Sequence, residues 1–163
     1  MSSFSANKIC NRIKTTLEAY DAGGGVKPFE NKCHNHFGEE IGDLRLKLQQ
    51  STHIYIFFAG EDYEVEANET MSGILFIEMW IVDQIIGVDP TKSDFQADNM
   101  RAYLTSESWK DLGIPTDYPD MDFEPFFLDS VRPAILTDDK GNPTGNMVSV
   151  FRGHLNFANK DLT

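Results

Sequence analysis

Two apolar segments near the middle of the chain, residues 52–59 and 74–82, show the strongest hydrophobic pattern in the sequence. Both are rich in β-branched and aromatic residues, which suit a pleated and partly buried strand. The acidic residues 60–70 lie between them and predict a polar connection. The pattern therefore predicts a long antiparallel hairpin.

The first strand of this hairpin is apolar on both faces, because successive side chains of a strand point to opposite sides. Its two faces consist of His53, Tyr55 and Phe57, and of Ile54, Ile56 and Phe58. Such a strand has to be covered on both sides. We expect helices of this chain on one side, and either further helices or a neighbouring subunit on the other.

Three segments have the apolar spacing of amphipathic helices: residues 5–20, 39–50 and 94–106. Ser3 or Ser5 is placed to cap the first helix, and glycines 23–25 are placed to end it. The third helix follows a capping-box pattern formed by Ser93 and Gln96. Its predicted core-facing residues are Ala97, Met100 and Leu104, flanked by Tyr103.

Further strands are predicted on both sides of these elements. Residues 26–33 contain Pro28 and predict a short edge strand. Residues 128–137 and 146–159 predict a closing hairpin around a turn at 138–145, with Pro133 at an edge or a bulge. The last strand is predicted to be apolar on the face formed by Met147, Phe151, Leu155 and Phe157.

Residues 107–127 are rich in proline and acidic residues and predict an ordered meander or a surface loop rather than a helix. Its aromatic residues are expected to pack on this chain or on a partner: Trp109, Tyr118, Phe123, Phe126 and Phe127. Together the elements predict one α+β domain over residues 1–163. Its fold is a mostly antiparallel sheet with two to three helices packed on one face.

The charge balance is strongly acidic, with 14 basic and 26 acidic residues and a net charge of −12. Contacts to nucleic-acid phosphates need clustered lysine and arginine, and no such cluster is present. The charge is consistent with plain solubility, with a wall that repels passing DNA, or with a DNA mimic that blocks a basic partner. The longest apolar run contains Glu78 and is far shorter than the roughly 20 residues of a membrane span.

The sequence contains no pattern typical of an enzyme. Glycine-rich phosphate loops and a nucleophile elbow are absent, and glycines 23–25 follow a helix instead of a strand. The residues Cys33, His34 and His36 are of metal-ligand type, but neighbours in sequence rarely converge on one ion. A polar loop fits this segment better, with a reactive Cys33 thiol as an alternative. We therefore expect no catalytic residue, no cofactor and no metal.

Carboxylates cluster in sequence at Asp117, Asp120 and Asp122, and again around Glu61. A catalytic acid needs a pKa raised by burial, and these residues stand in polar segments, so a solvated face is expected. Cys10 and Cys33 are too few for a disulfide framework, and the N-terminus has no apolar run of signal-sequence length. We expect a protein that is made and kept in a reducing cytoplasm until assembly.

The order of elements resembles that of the tail-terminator, or tail-completion, proteins of long-tailed bacteriophages, particularly those with contractile tails. The segments that carry the resemblance are residues 9–20, 54–60, 74–82 and 148–157. It covers nearly the whole chain as a pattern of elements, without a catalytic motif. The acidic, proline-rich residues 111–127 are longer than the family pattern.

The resemblance implies a structural role. Such proteins form a hexameric ring that caps the finished tail tube, ends tube polymerisation and joins the tail to the neck or head. The implied partners are five further copies, the tail tube protein (with or without the sheath) below, and a neck or connector protein above. The resemblance further implies that DNA passes through the lumen without specific binding and that the protein resides in the virion after assembly in the host cytoplasm.

The acidic segment and the two-faced strand supply the candidate interface residues: Glu61, Asp62, Tyr63, Glu64, Glu66, Tyr55, Phe57 and Trp80. Two other hypotheses compete with the ring. An acidic immunity or anti-defence inhibitor would bind a basic partner as a monomer or dimer. A small enzyme would use Cys33, His34 or His36 in a concave pocket. The two-faced apolar strand favours the oligomer, although helices can also cover both faces.

Overall fold

The computed structural model describes residues 4–35, 53–65, 71–84, 95–106 and 111–159. They form an α+β fold with a six-stranded, mostly antiparallel sheet, which confirms the predicted fold class. The strands are β1 Cys33–Asn35, β2 Ile54–Val65, β3 Met71–Gln84, β4 Met121–Phe123, β5 Phe127–Thr137 and β6 Pro143–Asn159. The helices are α1 Ala6–Ala19 and α2 Gln96–Thr105, with a 3-10 turn at Ile114–Thr116. The helix predicted at 39–50 lies outside the described residues.

The sheet has the strand order β1-β2-β3-β6-β4, and β5 also pairs with β6. Only the pairing of β1 with β2 is parallel. The 17-residue β6 is long enough to pair with β5 up to His154 and with β4 from Phe157 to Asn159. Within the described residues β5 has no second neighbour, so Pro133 lies in an edge strand as predicted.

The central hairpin of β2 and β3 is confirmed, but it is longer than the sequence predicts. Residues 61–65 were expected in the connection; instead they continue β2, and Glu61, Asp62 and Val65 pair with Leu75, Ile74 and Met71. The register shifts between Phe58 and Gly60, as at a β-bulge. Gly60 has a φ of 123°, which glycine adopts without strain.

The bulge changes which side of the sheet each later residue occupies. Before it, Ile54 and Ile56 are buried in the main core and Phe58 packs against it. After it, Glu61 and Tyr63 pair with Leu75 and Gly73 and so lie on the core side. Asp62 and Glu64 are on the outer side, where both are exposed.

The main core lies between one face of the sheet and the two helices, which confirms that both helices pack on the same side. The fully buried helix residues Ile9, Ile13, Leu17 and Met100 share one cluster with Leu75 and other strand residues. The opposite face of the sheet carries a second, smaller cluster, defined here as the outer apolar cluster. It consists of buried Tyr55, Val82 and Val148 with partly buried Phe57, Trp80, Leu136 and Val150. The prediction that the hairpin is apolar on both faces is therefore confirmed.

The first helix begins and ends close to the predicted residues. The Ser5 hydroxyl accepts a hydrogen bond from the amide of Lys8 at 3.3 Å, so Ser5 is the cap; Ser3 lies outside the described residues. A distant contact fixes the same end, because the amide of Ser5 donates to the hydroxyl of Tyr118 at 3.0 Å. After the helix, glycines 23–25 all have positive φ values, in agreement with their predicted role as a stop.

The second helix is capped differently from the prediction. Its N-cap is Phe95, which makes no side-chain capping bond, and Ser93 lies outside the described residues. The carboxylate of Asp83, from the end of β3, accepts from the amides of Gln96 and Ala97 at 2.6 and 3.0 Å. The core face of this helix is as predicted, with Ala97, Met100 and Leu104 buried. Tyr103 was predicted at the edge of the core, but it is buried as well.

The edge strand predicted at 26–33 is wrong for most of its length. Residues 28–32 form turns, with Asn31 at a φ of 58°, and the strand begins only at Cys33. Proline lacks a backbone donor, and a positive φ is incompatible with an extended strand. Turns instead bury Phe29 against Tyr20 and Tyr103, with ring centroids 6.0 and 6.2 Å away.

The closing hairpin is present as predicted, but β6 begins at Pro143, inside the predicted turn, and residues 121–123 of the predicted meander form strand β4. On the predicted apolar face of β6, Phe151, Leu155 and Phe157 are buried in the main core, but Met147 is only half-buried and outside it. Met147 lies between exposed Ile135 on β5 and Asp83 on β3, close to the turn of the closing hairpin. In the meander Tyr118 and Phe126 are buried and Phe123 packs against the core, whereas Phe127 is 61% exposed. Trp109 lies outside the described residues.

Candidate functional site

The candidate interface residues occupy two separate places on the β2–β3 hairpin. Tyr55, Phe57 and Trp80 lie in the outer apolar cluster, near the start of β2. The acidic residues 61–64 lie in the distal half of β2, beyond the bulge. Glu66 lies outside the described residues. The two sequence features that supplied the candidates, the two-faced strand and the acidic segment, thus correspond to two distinct surfaces.

Trp80 in the outer apolar cluster is held by polar neighbours. Its ring packs on Phe57 with centroids 5.1 Å apart, and its indole N–H donates to the carboxylate of Glu78. The same carboxylate accepts from Nε of Arg152 at 3.1 Å. Trp80 also pairs with Tyr55 across the two strands. Tyr55, Phe57 and Trp80 therefore lie side by side on the outer face of the sheet.

The distal half of the hairpin borders a cleft of about 690 Å³, which we call the distal cleft. Its walls come from β2, β3, β4 with the residue after it, and the end of β6. The lining residues are Asp62, Tyr63, Glu64, Ser72, Gly73, Ile74, Asp122, Phe123, Glu124, Asn156, Phe157 and Ala158. Among these described lining residues four are carboxylates and none is a lysine or arginine.

Strand register places the four carboxylates on opposite sides of the distal cleft. Asp62 pairs with Ile74, which pairs with Asn156, so β2 and β6 are two strands apart at this level. On the far side, the amide of Glu124 donates to the carbonyl of Asn156 at 2.9 Å. The Glu124 carboxylate also accepts from Nδ2 of Asn156 at 2.8 Å. The acidic pair on β2 therefore faces the acidic pair at β4 across β3 and β6.

On the core side of the sheet, opposite to Asp62, Glu64 and Asp122, aromatic rings pack together beneath these strands. The ring of Phe157 contacts Phe4, Tyr63 and Phe123, with centroid distances of 4.7, 5.9 and 6.4 Å. This arrangement requires glycine at position 73. A Cβ there would lie 2.0 Å from the carbonyl oxygen of Asp62 and 2.9 Å from Cζ of Phe157.

Glu61 and Tyr63 interact on the core side of β2, at the margin of the distal cleft. The pKa of Tyr63 is raised to about 12, first by burial around its hydroxyl and then by a hydrogen bond to Glu61 and the negative charge of that carboxylate. Oxygen Oε2 of Glu61 is inaccessible to solvent and has no hydrogen-bond partner among the described residues. The bulge therefore places a carboxylate in a less polar environment than its exposed neighbours occupy.

The segment that begins at Cys33 has the wrong geometry for a metal site or a reactive thiol. Cys33 and His34 are successive residues of β1 and point to opposite faces of the sheet. Burial, and then the charge of Glu18, raises the pKa of the Cys33 thiol to about 12, which leaves it protonated at neutral pH. His36 lies outside the described residues, and within them no three histidine, cysteine or acidic residues are grouped to hold a metal ion.

On the outer face, His34 and His53 form a direct contact between Nε2 of the first ring and Nδ1 of the second. Their rings are nearly parallel, with centroids 4.7 Å apart. Burial and the nearby Lys32 lower the pKa of His53 below its usual value. A neutral ring can accept the hydrogen bond that its partner donates, so the contact joins β1 to β2 beside the outer apolar cluster.

The side of the distal cleft formed by β4 and β6 was not predicted from the sequence. Asp122 was treated only as a solvated carboxylate, and Glu124, Asn156 and Phe157 were not linked to the acidic segment of β2. The one available signal was the alternation of Asp122 and Glu124 around Phe123, which resembles the alternation of Asp62 and Glu64 around Tyr63. No local pattern indicates that these two stretches meet across β3 and β6.

The helices of the described ranges are too short and too polar to cross a membrane. In comparisons with known proteins, no family model and no curated protein matches the chain.

Proposed function

We propose that this protein is a structural component of a long-tailed bacteriophage that caps the tail tube as a hexameric ring. In this role it ends tube polymerisation and forms the joining surface between the tail and the neck or head. The proposal rests on the resemblance in the order of elements. The observation that carries it is the β2–β3 hairpin, which is apolar on both faces over its first half and acidic over its distal half.

The outer apolar cluster supports an assembly role. Phe57, Trp80, Leu136 and Val150 are only partly buried on a face of the sheet opposite to the main core. Partly exposed aromatic residues that are held in place by hydrogen bonds, as Trp80 is by Glu78, are typical anchors of protein interfaces. A neighbouring subunit that covers this face would complete the burial.

The sheet edges also support a ring. Within the described residues, β5 pairs only with β6, and β2 beyond Ile56 pairs only with β3. In this part of the chain, the sheet thus ends on each side in a strand without a second strand neighbour. Two different edges suit a head-to-tail contact, and such contacts close into a ring when the rotation between subunits permits it.

The charge is consistent with a lumen that DNA traverses. A net charge of −12 on each subunit repels phosphates and opposes non-specific binding. The proposed partners are the tail tube protein, with or without the sheath, below the ring and a neck or connector protein above it. The proposed location is the tail or neck of the virion.

Tube polymerisation in vitro tests the capping role. The tail tube protein of the same phage is polymerised with and without this protein, and tube lengths are measured by electron microscopy. We expect addition of the protein to shorten the tubes and to place a ring at one end. Tubes of unchanged length, without a terminal ring, would refute capping.

An acidic inhibitor that occupies a basic site is the second candidate function, and the distal cleft favours it. The cleft brings together four carboxylates without a lysine or arginine among its lining residues. This candidate predicts a monomer or dimer and tight binding to one basic protein. The mass of the purified protein distinguishes it from the ring.

A further inference from the structure

We propose that the β2 part of the outer apolar cluster, formed by Tyr55 and Phe57, is the docking surface for residues 36–52 of the same chain. This docking concerns a single chain, so it goes beyond the proposed ring and is independent of it. Three observations carry it: the burial of the cluster, the topology of β1 and β2, and the length and apolar pattern of the chain that connects these two strands.

Residues of the outer apolar cluster are buried more completely than a bare sheet face permits. Tyr55 and Val82 are 1% and 0% exposed, although they lie on the face opposite to the main core. Their neighbours within the sheet, such as His34 with its ring 5.1 Å from that of Tyr55, lie beside them and not above them. Full burial on both faces of a sheet requires a cover on each face. The two described helices lie on the opposite face, so they do not supply this cover.

The topology of β1 and β2 requires the connecting chain to cross one face of the sheet. The two strands are parallel neighbours, in which Cys33 pairs with Ile54 and Asn35 with Ile56. The chain therefore leaves β1 at one end of the strand pair and enters β2 at the other end. Such crossovers between parallel strands are right-handed in about 98% of cases. Handedness thus decides which face is crossed.

The backbone of β2 shows which face a right-handed crossover takes. The amide of Ile54 donates to the carbonyl of Lys32 at 2.8 Å, so it points to the β1 side, while the Ile54 side chain is in the main core. In a strand of L-residues that runs upward, a residue whose side chain points at the viewer has its amide on the right. Viewed from the core face, β1 is therefore to the right of β2; viewed from the outer face, β2 is to the right of β1. A right-handed crossover passes in front of the sheet when the second strand lies to the right, which is the outer face.

The connecting chain has the length and the pattern that this face requires. Residues 36–52 lie outside the described residues and link Asn35 to His53. These 17 residues exceed the dozen that a parallel crossover needs. The apolar positions Ile41, Leu44 and Leu48 recur at helical spacing. Docking on the outer apolar cluster would bury this stripe and cover the sheet in one step.

A single crossover covers only part of the outer face. A helix is about 10 Å wide with its side chains, and strands are about 4.8 Å apart, so one helix covers about two strands. Over β1 and β2 it reaches Tyr55 and Phe57. Leu136 and Val150, on β5 and β6, remain for a neighbouring subunit. A ring contact on this face is therefore expected over β5 and β6.

The two other candidate occupants are residues 85–94 and a second copy of this chain. Residues 85–94 connect the end of β3 to the start of α2. These two points already lie together on the core side, because Asp83 accepts from the amides of Gln96 and Ala97. A second copy brings another net charge of −12, which opposes close approach. Both occupants are outcomes of the test.

Photo-crosslinking from two adjacent phenylalanines tests the docking in the full chain. The photoreactive analogue p-benzoylphenylalanine replaces Phe57 or, as the matched control, Phe58. Both are half-buried, but Phe58 packs against the main core. Crosslinked peptides are identified by mass spectrometry. We expect the analogue at position 57 to react with residues 36–52, and the analogue at position 58 to react with α1, where Cys10 contacts the backbone of Phe58.

Isotope labelling separates docking within one chain from contact with a second copy. Labelled and unlabelled chains are mixed in denaturant and refolded together before irradiation. We expect crosslinks from position 57 to join two labelled or two unlabelled peptides, and never one of each. Mixed pairs, or crosslinks to residues 85–94 in place of 36–52, would overturn the docking. Reaction of the analogue at position 58 with residues 36–52 would also overturn it, because the crossover would then lie on the core face.

The reactivity of a thiol at position 57 gives a second, independent measurement. Phe57→Cys is modified with a maleimide; the two native thiols react slowly because burial raises their pKa values to about 11 and 12. Adding Leu44→Asp with Leu48→Asp should speed the modification about tenfold, since the cover opens more often. Adding Gln49→Asp with Gln50→Asp makes the same change in net charge outside the apolar stripe and should leave the rate unchanged. Equal rates in all three proteins would contradict the docking.

Discussion

Asp83 shows how a single residue can replace a capping motif that the sequence favours. The pattern of Ser93 and Gln96 predicted a local cap for α2, yet a carboxylate thirteen residues before Gln96 accepts from the first two amides of the helix. Asp83 is 3% exposed, so its hydrogen bonds form away from bulk water. The negative charge is also favourable at a helix N-terminus.

Removal of this cap is expected to be costly. Asp83→Ala leaves two helix amides without their acceptor and should lower the free energy of unfolding by about 2 kcal/mol. Asp98→Ala, in the exposed first turn of the same helix, removes a carboxylate that forms an exposed ion pair with Arg101 and should cost under about 1 kcal/mol. Urea denaturation of both variants measures the difference; equal effects would contradict the capping role of Asp83.

The ion pair of Asp117 with Arg12 predicts a dependence of stability on pH. Two hydrogen bonds of 2.9 Å from the guanidinium hold the pKa of Asp117 below its usual value of 3.8. A lowered pKa in the folded state means that the pair stabilises the protein above the unfolded pKa. That contribution is lost as the pH falls through the folded pKa.

We therefore expect Asp117→Asn to unfold at a lower urea concentration than the wild type at pH 7. The difference between the two proteins should shrink below pH 3.8 and disappear once Asp117 is protonated in both the folded and the unfolded wild type. Unfolding midpoints measured across this range test the prediction. A difference that is constant with pH would show that the charge of Asp117 is not responsible.

At the scale of secondary structure, the sequence predicts the elements better than their extents. The apolar runs of β2 and β3 identified the hairpin, but the acidic residues 61–65 concealed its continuation. Asp62 and Glu64 alternate with Tyr63 and Val65, which is typical of a strand. The acidic composition of the segment nevertheless led to the prediction of a connection. The bulge depends on pairing with β3, and its only signal in the sequence is Gly60, because a glycine inside a strand often marks a bulge.

The register of β3 can be tested with two adjacent residues on opposite faces. Leu75 is fully buried in the main core, whereas Ile74 is half-buried on the outer side, in the lining of the distal cleft. Leu75→Ala should lower the free energy of unfolding by about 3 kcal/mol and Ile74→Ala by about 1 kcal/mol. Urea denaturation provides both values, and a larger loss for Ile74→Ala would show that the faces are reversed.

At the scale of the whole molecule, the sheet carries an apolar cluster on each face and acidic residues at one end. One face is covered by α1 and α2, and the other carries the outer apolar cluster. The distal cleft combines residues from β2, β3, β6 and the segment around β4, which are up to about 100 positions apart in the chain. Sequence periodicity reports neighbours within an element, so it identified the acidic half of β2 and not the cleft.

A resemblance in the order of elements does not specify which surfaces form the contacts between subunits. It implies a ring of subunits, but the contacts of a ring depend on surfaces that only the folded chain presents. The outer apolar cluster and the two sheet edges are the surfaces available in the described part of this chain. A closed ring requires that they meet in successive copies.

The absolute mass of the purified protein, measured by light scattering during size-exclusion chromatography, tests the ring most directly. One chain has a mass of 18.4 kDa, and the account predicts a species of six chains near 110 kDa with a central hole in negative-stain images. The sample is measured alone and after addition of tail tubes from the same phage. A mass of one chain in solution, together with no ring on the added tubes, would contradict the account.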